Sequence, residues 1–209
     1  MASRPEPRDE DHRAGSATAP DAPGRHYGPP PPPGTLQDPG VLIDWFDGPP
    51  PEVAADGAGN PYWVLSNFAP TPFQAAVGGF PMTGFATAEA AFQAAKATTQ
   101  EGFEQVAGLQ DPAAAKAAGR RVSPLRPDWN VIKVGVMREV VAAKFDPRHQ
   151  PETCALLLST GEARLLEGTL WGDEVWGFDL GTGRGQNLLG LLLQVRRAEL
   201  RLGLVPRDT

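Results

Sequence analysis

The stretch TAEAAFQAAKA, residues 87–97, carries one Glu, one Gln and one Lys on a run that is otherwise mostly alanine. Glu89, Gln93 and Lys96 stand at i, i+4 and i+7, which at 3.6 residues per turn places them on one narrow stripe of a helix. A single polar stripe on a small-residue helix faces either water or a polar pocket, and the rest of the reading turns on which. Thr87 fits an N-cap, but Glu89 comes one residue early for a capping box, because position 90 is Ala.

Outward from this helix, VLIDWF (41–46) reads as a short buried strand, GPPPEVAADGAGNP as an exposed loop, and YWVLSNF (62–68) and PFQAAVGGFPMTGF (72–85) as further strands with turns at Pro and Gly. On the other side, DPAAAKAAGRR (111–121) opens with a capping Asp and a Pro at the first helical position, and its helix is predicted to stop at Gly119. PDWNVIKVGVMREVVAAKF (127–145) is the clearest amphipathic helix, with Val134, Met137, Val141 and Phe145 at helical spacing. PETCALLLSTG is a short helix, ARLLEGTL and DEVWGFDL are two short strands, GTGRGQ is a loop, and NLLGLLLQVRRAEL is a last helix expected to be buried. Strands, then helices, then a strand pair and a helix predict a mostly helical α+β domain over residues 40–205.

Composition sets the outer limits. A chain of 209 residues with 41% hydrophobic content supports one core, but 23 Pro and 24 Gly are too many for a uniformly folded chain. Much of the proline lies in residues 1–39, a polar segment nearly free of large aliphatics, which is therefore expected to be a disordered tail. Its run PPPPP (29–33) favours polyproline II, as a spacer or as a ligand of SH3 or WW type. The start lacks a signal-peptide pattern and no apolar run reaches membrane-spanning length, which predicts a cytoplasmic protein with no membrane partner. The one cysteine, Cys154, excludes an internal disulfide and sits in apolar helical context as an inert core thiol. From Gly40 onward 15 Lys and Arg stand against 19 Asp and Glu, a balance unsuited to broad nucleic-acid binding.

The residues that remain for chemistry are few. His149 is the one histidine outside the tail and lies in a turn-like DPRHQPE, so neither a zinc site nor a Ser-His-Asp or Cys-His system is available. No metal and no cofactor are called for. GTGRGQN (181–187) is a connector or, feeding a helix N-terminus beside Arg184, a weak anion cradle. Lys116, Arg120, Arg121 and Arg126 form the most basic window, either a solvated helix end or a phosphate pocket. Trp129 and Lys133 follow, and Asp173 and Asp179 flank Trp176. Together, carboxylate, arginines and aromatics without metal ligands read as a site for a phosphorylated sugar carrying a heterocycle.

In order along the chain, LSNFAPTPF, TAEAAFQAAKA, AAAKAAGR, DWNVIKVGVM, KF, LLLSTGEARLLEGT, DEVWG and GQNLLGLLLQVR resemble the NADAR family, the YbiA-like N-glycosidases. The resemblance runs from about Val41 to Leu200 and implies a mainly helical α+β fold. It implies hydrolysis of the C1–N ribosyl bond of ribosylamino-pyrimidine phosphates, early riboflavin-pathway intermediates, releasing ribose 5-phosphate. Other members remove ADP-ribose from modified guanine, and a catalytically silent ADP-ribose or NAD sensor is the third reading. The implied partner is a small phosphorylated ribosyl molecule, with nucleic acid entering only under the guanine alternative. Carried over by position, Glu89, Lys96 and Asp173 are the catalytic candidates; Asn67, Gln93, Arg120, Trp129, Lys133, Trp176 and Asn187 are the substrate-binding ones. Ala90 departs from the family's usual His and Ala95 from a frequent Gln, which bears on substrate identity more than on the bond broken. The polar stripe is accordingly expected to face a pocket. There Glu89 would stabilise an oxocarbenium-like state or activate water, Lys96 would hold phosphate or attack C1 to form a Schiff base, and Trp129 would stack on the departing base.

Overall fold

A computed structural model describes residues 42–44 and 60–205. The expectations for the 1–39 tail, its proline run, the end of VLIDWF and most of the loop after it lie outside the described residues.

A seven-residue helix, α1 (Ala88–Ala94), is buried at every position. Thr87 caps it, its hydroxyl accepting from Ala90 N at 3.1 Å, and the Glu89 N–H, another first-turn donor without an intrahelical partner, is accepted by the Asn67 carbonyl at 2.9 Å. Around α1 pack α2 (Gln100–Ala107), α3 (Pro112–Arg121) and α4 (Trp129–Lys144). Alanine makes this approach feasible, since it fills little space and favours the helix. At one point even a methyl group is too large. A Cβ on Gly119 of α3 would overlap the Gln93 side chain of α1. Two further helices, α5 (Pro151–Ser159) and α6 (Leu188–Arg201), complete the helical body.

The strands are short and paired in twos. β1 (Leu42–Asp44) runs parallel to β4 (Arg164–Leu166), β2 (Phe73–Ala75) antiparallel to β3 (Thr83–Phe85), and β5 (Gly168–Thr169) parallel to β6 (Phe178–Asp179). The architecture is the expected mostly helical α+β. Stacked and edge-on phenylalanines join the β2–β3 hairpin to α2: Phe80 and Phe103 lie 4.2 Å apart, Phe85 and Phe103 6.0 Å.

Several local expectations are corrected. PYWVL is a 3-10 helix (Pro61–Leu65), because the Asn60 side chain accepts from Tyr62 N and Pro61 opens a helical turn. The segment after α1, for which no element was expected, is a separate helix, α2, capped by Thr99. Helix α3 continues past Gly119 to Arg121, since that glycine serves packing rather than termination. In α4 Val134 is exposed, and Val136 and Val140 join Met137 and Val141 on the buried face. Helix α6 is only half buried: Leu191 and Val195 are about half exposed, whereas Arg196 and Arg197 are sequestered because their guanidinium groups close carbonyls at other helix ends. Of DEVWGFDL only Phe178–Asp179 is strand, the rest being a turn held by Asp173.

Two glycines in α3 and α4 should respond oppositely to substitution. Gly119→Ala is expected to lose about 1–3 kcal/mol of unfolding free energy through overpacking against Gln93. Gly135→Ala, whose Cβ would meet nothing within 4 Å, should gain about 0.5–1 kcal/mol from helix propensity. Urea denaturation of both variants checks the pair.

Candidate active site

Glu89 and Gln93 of the polar stripe are buried and Lys96 is half-buried, and the stripe opens onto a cavity of about 720 Å³. The walls come from four places: the 66–68 segment, α1, the α3 and α4 faces opposite it, and the 167–176 loop. Glu89 and Gln93 are each only 6% exposed, and Gln93 Nε2 donates to Glu89 Oε1 at 2.8 Å. Lys96 follows the C-terminal turn of α1, with Nζ 5.6 Å from the Trp129 ring centre and 6.0 Å from that of Phe92. Phe92 in turn contacts Trp129 at 5.0 Å and Trp176, edge-on, at 5.1 Å. A second lysine, Lys116 of α3, lies over Phe68 at 5.4 Å and Trp171 at 5.8 Å.

Burial dominates the electrostatics. It pushes the Glu89 carboxyl above its ordinary range; the Gln93 hydrogen bond and the Lys116 and Lys96 charges oppose this, and Asp173 adds to it. Burial likewise lowers the Lys96 ammonium, with Arg120 and Lys116 adding to the shift and Glu89 opposing it. The pair is therefore a carboxyl made more basic beside an amine made less so. Opposed tuning of neighbouring groups is common in acid–base sites.

Of the ten catalytic and substrate-binding candidates, nine line this cavity: Asn67, Glu89, Gln93, Lys96, Arg120, Trp129, Lys133, Asp173 and Trp176. Trp129 is both core and wall, since it is buried at the start of α4 yet borders the cavity. Asp173 Oδ1 accepts from Val175 N and Trp176 N, fixing the loop that carries Trp176. Asn187 is the exception and is corrected. It sits in left-handed conformation before α6, where its side chain donates to Leu165 O and accepts from Glu167 N, a structural tie outside the cavity lining. Asp179 is a loop anchor, accepting from Gly172 N and Thr182 N, and Arg184 bridges to it through the backbone.

The basic window divides in two. Lys116 and Arg120, one helical turn apart, point to the cavity, whereas Arg126 clamps Gly78 O and Ala95 O and pairs with Asp128. Cys154 is buried and its thiol is pushed up to about 11 by burial, in keeping with an inert core position. His149 is exposed and faces Asp146. Sequence reasoning did not single out Phe68, Trp171 or Glu167 as site residues. Phe68 was signalled by its place beside Asn67 in LSNF; Trp171 and Glu167 belong to a loop whose path only the tertiary structure sets.

A family model described as the NADAR domain matches residues 55–201. The chain belongs to the NADAR family. Among NADAR relatives, the N-glycosidase YbiA of Escherichia coli is 38% identical over 142 residues, 68% of this chain and 83% of YbiA. The NMR structure of E. coli YbiA superposes with a TM-score of 0.65 at 32% identity, covering 87% of this chain and 98% of that one. A riboflavin biosynthesis protein of Vibrio vulnificus is 35% identical over 120 residues, 57% of this chain and 32% of its own length. The class of enzyme to which the NADAR relatives assign the chain is a hydrolase acting on N-glycosyl bonds.

The sequestered carboxylate has a thermodynamic signature. A folded pKa above the ordinary 4.5 means that ionising Glu89 costs stability, with no cost below the unfolded pKa and the full cost above the folded one. Glu89→Gln removes that ionisation. The variant should therefore melt above the wild type at about pH 8, and the difference should shrink as pH falls to about 4. Thermal denaturation across this range is the check, and a variant melting lower at the alkaline end would contradict a buried carboxylate.

Proposed function

We propose that this NADAR chain hydrolyses the C1–N ribosyl bond of ribosylamino-pyrimidine phosphates, releasing ribose 5-phosphate. The observation that carries the reading is the Glu89–Gln93–Lys96 stripe, which shares one cavity with aromatic rings and with the Lys116, Arg120 and Lys133 cations. That arrangement suits a ligand with a planar ring, a sugar and a phosphate in series.

In the proposed chemistry the three cations hold the phosphate, and Phe92, Trp129 and Trp176 border the heterocycle. Lys96, depressed towards the neutral amine, is the nucleophile. Opening of the ribose ring gives a C1=N imine to the pyrimidine amine. Lys96 Nζ adds to C1, the C1–N bond to the pyrimidine breaks, and that nitrogen leaves as an amine carrying the two protons that Nζ gives up. Water then adds to C1 of the lysine imine while Glu89 accepts one of its protons and passes it to Nζ; the C1–Nζ bond breaks as the new C1 hydroxyl gives its proton to Nζ as well, and open-chain ribose 5-phosphate departs. Gln93 orients the Glu89 carboxylate through its 2.8 Å bond. Asp173, on the loop that carries Trp176, places a second carboxylate at the cavity edge.

A second reading, removal of ADP-ribose from guanine, is favoured by the outer station in which Lys116 lies between Phe68 and Trp171. There a second ring system and a pyrophosphate would find both aromatic surface and charge. The vulnificus relative's name favours the first reading.

Incubation with the ribosylamino-uracil phosphate and, separately, with ADP-ribosylated guanosine distinguishes them. Release of ribose 5-phosphate from the former alone is the expected result; ADP-ribose binding without turnover of either would leave the protein a sensor. Glu89→Gln should lower turnover by roughly 10²–10⁴-fold with the fold intact. Borohydride added during turnover should attach ribose phosphate to Lys96, read by peptide mass, and unlabelled Lys96 would reassign it to phosphate binding.

A further inference from the structure

Lys144, at the end of α4, is the most deeply sequestered cation among the described residues, 2% exposed, and lines no part of the cavity. Its Nζ donates to the Ser66 carbonyl at 2.6 Å, a charge-assisted distance. Among the described residues no carboxylate pairs with it. Among the described residues, the charged and titratable groups tied to this end of α4 are Arg196 on α6, Cys154 on α5, and Asp146, Arg148 and His149 after α4. Arg196 donates to the Ala142 and Phe145 carbonyls, and Asp146 accepts from Arg148. Burial is the one cause of the lowering of the Lys144 ammonium, to about 7.

A lone buried ammonium is costly, so its attachment point matters. Ser66 begins the three-residue segment that walls the cavity, and α4 holds that segment twice: Lys144 grips Ser66 O, and Met137 Sδ accepts from Asn67 Nδ2 at 3.6 Å. The next link is the Asn67 carbonyl, which accepts the Glu89 N–H at 2.9 Å. The path from Lys144 to the stripe thus runs through one carbonyl, one peptide and one helix-capping bond.

We infer that Lys144 is a positioning residue for Glu89: its ammonium pins the Ser66 carbonyl, which fixes the Asn67 carbonyl against the first turn of α1 and so sets the placement of the carboxylate. The consequence for catalysis rests on the proposed function, whereas the mechanical link does not. Loss of the Lys144 proton weakens the grip, so the link is strongest below neutral pH and slackens as pH rises through about 7.

The test uses Lys144→Met, which keeps length and removes charge, and reads two things. The first is hydrogen exchange of the Glu89 amide by NMR, corrected for the intrinsic rate at each pH; a drop in protection of roughly 10-fold relative to neighbouring α1 amides is expected. The second is turnover, expected to fall roughly 10- to 100-fold with KM within about twofold, because a displaced group costs rate more than affinity. In the wild type the Glu89 amide should lose protection between about pH 6 and pH 8.5; the variant should lack that transition, and Lys144→Arg should move it to higher pH. Unchanged Glu89 protection in Lys144→Met overturns the inference. Should that variant not fold, the wild-type pH series decides alone, and flat protection across it overturns the inference. A protection loss together with no cleavage of the ribosylamino-uracil phosphate by the wild type upholds the link and rejects the substrate instead.

Discussion

A helix surrounded by protein on every side cannot send a polar stripe to water, so the stripe must meet partners or enclose a space of its own. In α1 both happen. Gln93 and Glu89 bond to each other, and beyond them the chain leaves a cavity bordered by cations and aromatic rings. The surrounding elements follow from this: alanines that let α2, α3 and α4 approach, a glycine on α3 where no side chain fits, and aromatics that pack α1 into the core while one edge remains at the cavity.

The electrostatic character of the site follows from the same enclosure. A carboxyl and an amine in bulk water would sit at opposite ends of the pH scale and titrate independently. Buried together, each is destabilised in its charged form, and the distance between their pKa values narrows from both sides. Solvent exclusion therefore does what no residue choice along α1 alone achieves, bringing a proton acceptor and a potential nucleophile towards the same working range. Lys144 extends the pattern to a group outside the cavity, where burial with no ion pair among the described residues makes its bond to the Ser66 carbonyl count.

The fold, shared with YbiA of the NADAR family over 87% of this chain, lines the cavity with α1, α3 and α4. The loop with Trp171, Asp173 and Trp176 is built differently from those helices. Its turn depends on Asp173 and Asp179 accepting backbone N–H groups, so the loop supplies cavity-lining aromatics on a frame of side chain-to-backbone bonds.

The sequence by itself determined the helical stripe, its Thr87 cap, the amphipathic character of α4, and the grouping of Glu89, Lys96, Arg120 and Trp129 with the ordered blocks of a known family. These are local or patterned properties, set by spacing along one helix or by residues read in order. Tertiary structure decided the rest. Whether the stripe met water or a cavity depended on three other helices; which cations of the basic window turned inward depended on the rotation of α3, which directs Lys116 and Arg120 inward while Arg126, beyond its end, clamps backbone instead. Asn187 looked like a site residue by position and became a backbone tie, because its left-handed turn brings its amide to Leu165 and Glu167 instead of the cavity. Pattern fixes what a segment presents, but only packing against distant segments fixes what that face meets.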